Sequence, residues 1–452
     1  MASDISALTT LRRHAQALRD EHDLDPVLSF VAGARVVLLG EATHGTREFY
    51  LLRVLLTQRL IVEHGFDAVA VEADWPDALR ASRWAQGGTE DRTVEEALGG
   101  FERFPQWMWR NVEVAAWLEW LREYNLMQRE PQGIAGFFGL DLYSLRGSMQ
   151  AVLHYLDRVD AEAARRARDR YSCFDHFGED PQYYGHAVSF GLNAGCEREV
   201  VQQLLEMSSQ SSTRLARADS SGSMNDEHFY AQQNARVVRD AEAYYRSMFQ
   251  GRAESWNLRD RHMVQTLVEL QAHLSAQRGR PAKIVVWAHN SHIGDARATA
   301  MCDEGEVNLG QLVRERAPEL GESRLIGFTT HAGTVTAATD WDGAAELKTV
   351  LPSRSGSHER LLHDVGLPLF LLPLSGHPEL QQALAQPRLE RAIGVIYRPD
   401  TELYSHYFRS WLPGQFDAVV HVDQTRALPP LDRSAFWPHA HTPEPDTYPS
   451  GV

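Results

Sequence analysis

The sequence predicts an α/β protein, a three-layer fold with a mostly parallel central sheet, carrying a large helical subdomain. Three observations predict it. Arg35-Val-Val-Leu-Leu-Gly40 and Asp67-Ala-Val-Ala-Val-Glu72 are short apolar runs separated by one amphipathic helical pattern. That spacing is a strand–helix–strand unit, whose two strands run parallel. Residues 145–280 then read as almost wholly helical, with no strand signal. Apolar runs return at Lys283-Ile-Val-Val-Trp-Ala-His289, so the sheet resumes after that stretch.

Taken in order, residues 5–22 read as a polar helix and 35–40 as a buried strand ending in glycine. The helix predicted over 46–64 places Leu51, Leu52, Leu55, Leu56, Leu60 and Ile61 on one stripe. A second buried strand covers 67–72. Residues 77–130 are mainly helical and hold Trp107, Trp109, Trp117 and Trp120. These rings either line an apolar cleft or pack in the core, and at helical spacing core packing is the commoner use. Ile134-Ala-Gly-Phe-Phe-Gly-Leu-Asp141 is the third strand, and Asp219-Ser-Ser-Gly-Ser-Met-Asn225 is a polar break in the helical stretch. Later strands are expected at 324–330, paired with 334–338 across His331-Ala-Gly, and at 369–372, 393–397 and 418–422. The organisation expected is one catalytic domain over 25–430, with a helical insertion at about 145–280. A Pro-rich surface tail follows over 431–452.

Composition excludes some functions. At 452 residues the chain carries 45 Lys plus Arg against 61 Asp plus Glu, a formal charge of -16. A nucleic-acid binder needs a basic face, so no nucleic-acid partner is expected. The two lysines, Lys283 and Lys348, sit in neither a phosphate-binding loop nor a Schiff-base context. Cys173, Cys196 and Cys302 form no CxxC pair and suggest no disulfide framework, which fits a reducing compartment. The first residues lack a signal-peptide apolar core, and no apolar stretch is long enough to span a membrane. The expectation is a cytoplasmic protein with a small-molecule substrate and no membrane partner.

In a parallel sheet the ligand crevice lies beyond the carboxyl ends of the strands. Glu41 and His44 follow the first strand, Glu72 and Asp74 close the second, Asp141 ends the third, and His289-Asn290-Ser-His292 follows the fourth. Each residue has a structural reading. Glu41 and Asp141 fit first-turn helix acids, His44 a loop residue, and Glu72 and Asp74 partners for arginines such as Arg53. Their convergence on one edge favours a site. No Gly-x-Ser-x-Gly elbow occurs, which argues against an ordinary serine hydrolase. Gly40-Glu41 stands where a dinucleotide fingerprint would begin. His358 and His363 are five apart, about 140° around a helix, and cannot share a metal. Cys302 has no paired base in the sequence.

Gly40-Glu41-Ala-Thr-His44-Gly45, with Glu48, Phe49 and Arg53, resembles the opening motif of the erythromycin esterase family. Phe66-Asp-Ala-Val-Ala-Val-Glu72 is similar to its second strand. Phe138-Gly-Leu-Asp141-Leu-Tyr, Asn257-Leu-Arg259-Asp260-Arg-His262-Met263 and Trp287-Ala-His289-Asn290-Ser-His292 resemble its later signatures. The likeness runs from about residue 33 to 311 and more weakly over 417–428. It implies hydrolysis of a macrolide lactone ester by activated water, without a serine acyl-enzyme. On this chain His44 would be the base, Glu41 and Glu72 would orient or tune it, and Arg53 would hold the carboxylates. His289 and His292 would lie across the site, with Asp74, Asp141, Asn290, Arg259 and His262 as substrate contacts. An imidazole suits base catalysis near neutral pH, and a carboxylate on its other nitrogen fixes the tautomer.

Two other readings of the same residues stay open. Glu41, His44, Glu72, His289 and His292 also make a plausible set of ligands for a divalent metal, which would lower the pKa of bound water. The fold class resembles that of metal-dependent membrane proteases; related architecture occurs in haem-binding lipoproteins, so the second reading is a protein that binds a haem-like ligand. Hydrolysis by His44 requires no cofactor.

Overall fold

The computed structural model describes residues 2–130, 133–177, 181–191, 195–215, 222–249 and 251–432. Its strands, in chain order, are β1 (Gln16–Ala17), β2 (Val36–Leu39), β3 (Ala68–Asp74), β4 (Gly136–Asp141), β5 (Ile284–Trp287) and β6 (Ser323–Ala337). They continue with β7 (Glu346–Val350), β8 (Leu369–Pro373), β9 (Arg388–Arg391), β10 (Tyr407–Ser410) and β11 (Ala418–Thr425). The main sheet runs β1-β8-β11-β6-β2-β5-β3-β4, with β7 on β6. From β11 to β4 every neighbouring pair is parallel. The antiparallel strands β8 and β1 extend the sheet beyond β11, and β7 pairs with the end of β6 on the side away from β11. The fold is the three-layer, mostly parallel α/β arrangement that the sequence predicts.

Side chains alternate between two cores. Val37, Leu39, Val69, Val71, Val285 and Trp287 face one layer, with the helices Arg47–His64 and Val112–Met127. Val36, Leu38, Ala68, Ala70, Ile284 and Val286 face the other, with Arg252–Arg278 and Leu309–Glu315. Strands buried on both faces carry no polar alternation, which is why these runs are uniformly apolar in the sequence. β2 and β3 are parallel but not neighbours: β5 lies between them, with Ile284 in register with both Val36 and Ala68.

The long helical stretch divides in two. Helices from Leu145–Val159 to Gly222–Ser247 share a core of their own around Met149, Tyr171, Tyr184 and Val238. Helix Arg252–Arg278 instead covers the sheet through Met263, Leu267 and Leu270. The predicted polar break lies partly outside the described residues.

Several expectations need correction. The first helix stops at His14, and Gln16–Ala17 then pairs with β8. The hairpin across His331-Ala-Gly does not form, and β6 runs straight through it. Gly333 is there for close approach: at φ +146°, a Cβ would sit 1.9 Å from the Thr425 carbonyl oxygen of β11. Residues 393–397 make single bridges, Ile393 to Thr43 and Ile396 to Ala338, rather than a strand. Of the four tryptophans, Trp107, Trp109 and Trp117 are buried, with Trp117 packed between Trp120 and Trp287. Cys173 and Cys196 are disulfide-bonded, and Cys302 is the free cysteine. The helical subdomain brings their Cα atoms to 5.9 Å, a juxtaposition no local spacing reveals. The tail is tied down as far as Leu431, whose N–H donates to the Arg110 carbonyl. Residues 433–452 lie outside the described residues. No described helix is long and apolar enough to cross a membrane.

Candidate active site

β2, β5, β3 and β4 are parallel neighbours, so their carboxyl ends open on one edge. Two glycines shape the loop after β2. A Cβ on Gly40 would lie 2.1 Å from Asn290 Oδ1, and one on Gly45 would lie 1.9 Å from the Thr336 carbonyl oxygen. Only glycine permits both approaches, and the loop they hold presents His44.

His44 Nδ1 lies 2.9 Å from Glu41 Oε1. Arg53 Nη2 donates to Glu41 Oε2 at 2.8 Å, and the guanidinium lies 4.3 Å from the Tyr50 ring centroid. The carboxylate keeps the Nδ1 proton in place, which leaves the Nε2 lone pair toward the cavity. Nε2 has no protein hydrogen-bond partner among the described residues.

Glu72 faces the other way. Its Oε2 accepts the His289 backbone N–H at 2.8 Å, and its Oε1 accepts Arg259 Nη2 at 2.7 Å. His292 Nε2 lies 3.4 Å from the same Oε1. Burial alone would raise the Glu72 carboxyl, but His292, Arg259 and His44 hold it well below the usual carboxylate range. Arg259 also grips Asp141, with Nε 3.0 Å from Oδ1 and Nη2 2.6 Å from Oδ2. Asp74 accepts Arg103 Nε at 3.1 Å, and burial pushes its carboxyl up.

His289 and His292 are shifted in opposite directions. Burial, with His44 beside it, pushes His289 down to about 3. Its Nδ1 accepts the Ser291 backbone N–H at 3.2 Å, so the neutral ring carries its proton on Nε2. Burial would also lower His292, but Asp260 and Glu72 outweigh it and the net shift is upward.

His44, Glu72, Asp74, Asp141, Arg259, His289 and His292 all line one cavity of about 1060 Å³. Glu41 and Arg53 stand behind His44. Two of the expected substrate contacts do not reach the cavity. Asn290 clamps β6, donating Nδ2 to the Phe328 carbonyl at 2.9 Å and accepting the Phe328 N–H at 3.2 Å. His262 Nδ1 pairs with Asp240 Oδ2 at 2.7 Å, and burial holds the ring among core side chains. The sequence reading passed over Asp260, Trp256 and Arg103. Trp256 and Asp260 flank Arg259 at i and i+4 on one helix face, a spacing that could have identified them.

The walls are largely aromatic, with Phe101, Phe104, Trp109, Tyr143, Trp256 and Trp341 above the charged floor. The volume matches the upper end of small-molecule sites, about 300–1,000 Å³. Among the described residues no group of three or more His, Cys, Asp or Glu side chains is arranged to hold a metal ion. Of the residues that could form such a set, Glu72 has both oxygens engaged, by Arg259 and by the His289 N–H, whereas Glu41 on the His44 Nδ1 leaves the Nε2 of that ring open.

The sequence model of the family described as Erythromycin esterase matches residues 61–425. That span includes Glu72, Asp141, Arg259, His289 and His292 and begins after the segment carrying Glu41 and His44. Erythromycin esterase type II of Escherichia coli is 23% identical over 421 residues, covering 89% of this chain and 92% of its own. A solved succinoglycan biosynthesis protein superposes with TM-score 0.73 at 21% identity, covering 96% of this chain and 100% of its own. An erythromycin esterase mutant solved in its open conformation gives TM-score 0.67 at 18% identity, over 93% of this chain and 99% of its own. At these identities the two structures speak to the fold alone.

Proposed function

The chain belongs to the erythromycin esterase family, and from that premise we propose that it hydrolyses an ester or lactone with water activated by His44. The observation that carries this reading is the relay Arg53, Glu41, His44, which ends on an imidazole Nε2 facing the cavity. In this scheme Nε2 takes a proton from water, and the hydroxide adds to the carbonyl carbon. Glu41 stabilises the imidazolium that forms. The oxyanion needs donors fixed in advance. His289 Nε2, buried beside the Ala42 carbonyl and without a regular hydrogen bond, is the donor we assign to it.

A serine acyl-enzyme is the competing mechanism, because Ser291 Oγ lies 2.8 Å from His289 Nδ1 in the same cavity. His289 is a poor base for it. Its pKa sits at about 3, and its Nδ1 already accepts the Ser291 backbone N–H. Each such site needs a base oriented by a third group, and the carboxylate here serves His44 instead. Covalent labelling of Ser291 by a fluorophosphonate, with loss of activity, would refute the water mechanism.

The substrate we infer is a bulky, largely apolar ester or lactone, macrolides among them, because the cavity is large and aromatic-walled. A screen over macrolides, lactones and simple esters, read as the mass gain of one water, tests it. No cofactor takes part in this scheme. Activity lost on chelation and restored by one divalent metal would favour metal-assisted hydrolysis instead.

A further inference from the structure

One corner of the cavity carries polar groups that the scheme above leaves without a task. Arg103 spends only its Nε, which donates to Asp74 Oδ2 at 3.1 Å. Its Nη1 and Nη2 donate to no described residue, and the side chain is half exposed where it lines the cavity. The guanidinium is not loose. Its carbon lies 4.9 Å from the Tyr143 ring centroid, and that contact holds the fork in place. Arg259, the other cavity arginine, has all three nitrogens engaged, by Asp141, Glu72 and His292. Asp77, the third residue of the helix Trp75–Ala85, lines the same cavity and pairs with no described residue. Gly100 leaves it uncovered, since a Cβ there would lie 3.0 Å from Asp77 Oδ1. Arg103 is close enough to act on the charge of Asp77.

We propose that Arg103 and Asp77 form a subsite that holds two neighbouring hydroxyl groups of the substrate, of the kind a sugar or polyol carries. The subsite takes a part of the substrate that does not react, and so rests on the hydrolytic reading. Charge decides the class of ligand. Six acids line the cavity against two arginines, so an anion is repelled. Arg103 repels a cation that would settle at this corner. A neutral group remains, and it must accept from the Nη fork and donate to the carboxyl. A hydroxyl does both. Burial and the neighbouring Asp74 push Asp77 up to about 8, and in either protonation state it keeps an oxygen that accepts. The guanidinium is always charged, so the donor side of the subsite depends on no titration.

Two hydroxyls fit better than one. The Nη groups of Arg103 lie in one plane and suit two oxygens side by side. Hydroxyls on adjacent carbons can meet the fork and the Asp77 carboxyl together. Trp341, after β6, is 61% exposed although it lines the cavity, and its ring stands 5.1 Å from Phe104, edge to face. An exposed indole in the same wall gives the carbon face of a polyol something to pack on. A wholly apolar substrate would strip water from the Arg103 fork and leave it unpaired, which costs binding. The corner therefore selects by hydroxyl pattern, while His44 acts on the carbonyl.

The test uses two ligands with one tail, octyl glucoside and octyl tetraethylene glycol, each below its micelle concentration. The glucoside carries neighbouring hydroxyls, whereas the ether chain carries one, at its far end. Neither holds an ester, so calorimetry reads binding without turnover. The native protein should bind the glucoside about tenfold or more tightly than the ether, the scale of one charge-assisted hydrogen bond. Arg103→Lys keeps a cation beside the buried Asp74 but loses the fork, and Asp77→Ala removes the free carboxyl. Each should weaken glucoside binding by about tenfold or more and leave the ether unchanged. No preference in the native protein overturns the proposal, and so do variants that bind the glucoside as well as the native protein does. Equal weakening of both ligands would mean that Arg103 and Asp77 shape the cavity without reading hydroxyls, which also overturns it. If Arg103→Lys does not fold, Asp77→Ala decides alone, because Asp77 holds no other described side chain. If the glucoside binds as expected and no ester is cleaved, the hydrolytic reading fails and the subsite stands. If an ester is cleaved and the glucoside is not preferred, the subsite fails and the hydrolytic reading stands.

Discussion

Replacing Arg53 with methionine isolates the electrostatic support of the base. Arg53 is fully buried and is the cation that meets Glu41 Oε2, at 2.8 Å. Removing one partner of a buried ion pair typically costs about 3–5 kcal/mol, because the remaining charge is stranded. Arg53 also buries Nε and Nη1 without regular partners, and those unmet donors leave with it. Their relief places the expected loss near the lower end, about 3 kcal/mol. Arg53→Met combined with Glu41→Gln should regain most of that, since a neutral amide needs no cation and a well-packed apolar replacement of a buried pair is often neutral. Urea unfolding, followed by tryptophan fluorescence, measures the cycle. Trp287 lies 5.4 Å from the guanidinium and reports on this region. A coupling of at least about 2 kcal/mol is expected, well above the additivity limit of about 0.5 kcal/mol for independent sites. The double variant should regain stability but not turnover, because His44 has lost its carboxylate. Additive single-variant costs would show that Arg53 packs beside Glu41 without holding it.

Three further outcomes are expected. His44→Ala should lower turnover of any verified ester by about 10²–10⁴ while leaving the circular dichroism spectrum unchanged; full activity in that variant would refute the base assignment. Glu390 is fully buried, and burial followed by neighbouring Glu359 pushes its carboxyl up to about 8, against 4.5 ordinarily. The native state therefore holds a proton that the unfolded chain releases, so stability is lost as pH rises from 4.5 toward 8. Glu390→Gln should remove that slope, and its melting temperature should gain on the native protein between pH 5 and pH 8; parallel curves would contradict it. Under native, non-reducing conditions an alkylating reagent should label Cys302 alone, and labels on Cys173 or Cys196 would show that the bond between them is not formed.

What the sequence made legible follows from how each segment is buried. β2, β3, β4 and β5 are covered on both faces, so their apolar runs stand out and their carboxyl ends could be placed. The floor residues Glu41, His44, Glu72, Asp141, His289 and His292 follow from that. Order within the sheet did not, because nothing local says that β5 enters between β2 and β3. Gly333 read as a turn because a glycine kept for close approach looks the same in sequence as one kept for a bend. Asn290 and His262 read as substrate contacts because a polar residue beside a motif gives no sign of where its side chain is spent. Here it is spent on Phe328 and Asp240. Asp260 was quoted in a motif but given no role, since its partner His292 lies 32 residues away.

The entry of β5 between β2 and β3 also explains how one loop can serve two carboxylates of the same kind. His289 follows β5, so its backbone N–H reaches Glu72 at the end of β3 while its ring stands 4.8 Å from His44 after β2. Glu41 receives an imidazole and a guanidinium, Glu72 a backbone N–H and a different guanidinium. Identical side chains thus acquire different tasks from their neighbours, and the imidazoles separate in the same way, His289 neutral and His292 shifted upward. Each of these floor residues stands on or just after a buried strand, or on the helix covering it. Apart from Tyr143 and Trp256, the walls come from elsewhere: Phe101 to Trp109 between helices, Tyr244 to Met248 at the end of a subdomain helix, Trp341 after β6, and Tyr404 to Phe408 around β10. Changes in those segments can reshape what the cavity admits without moving the relay from Arg53 to His44. Relatives with the same strand-end residues and different walls should therefore share a reaction and differ in substrate.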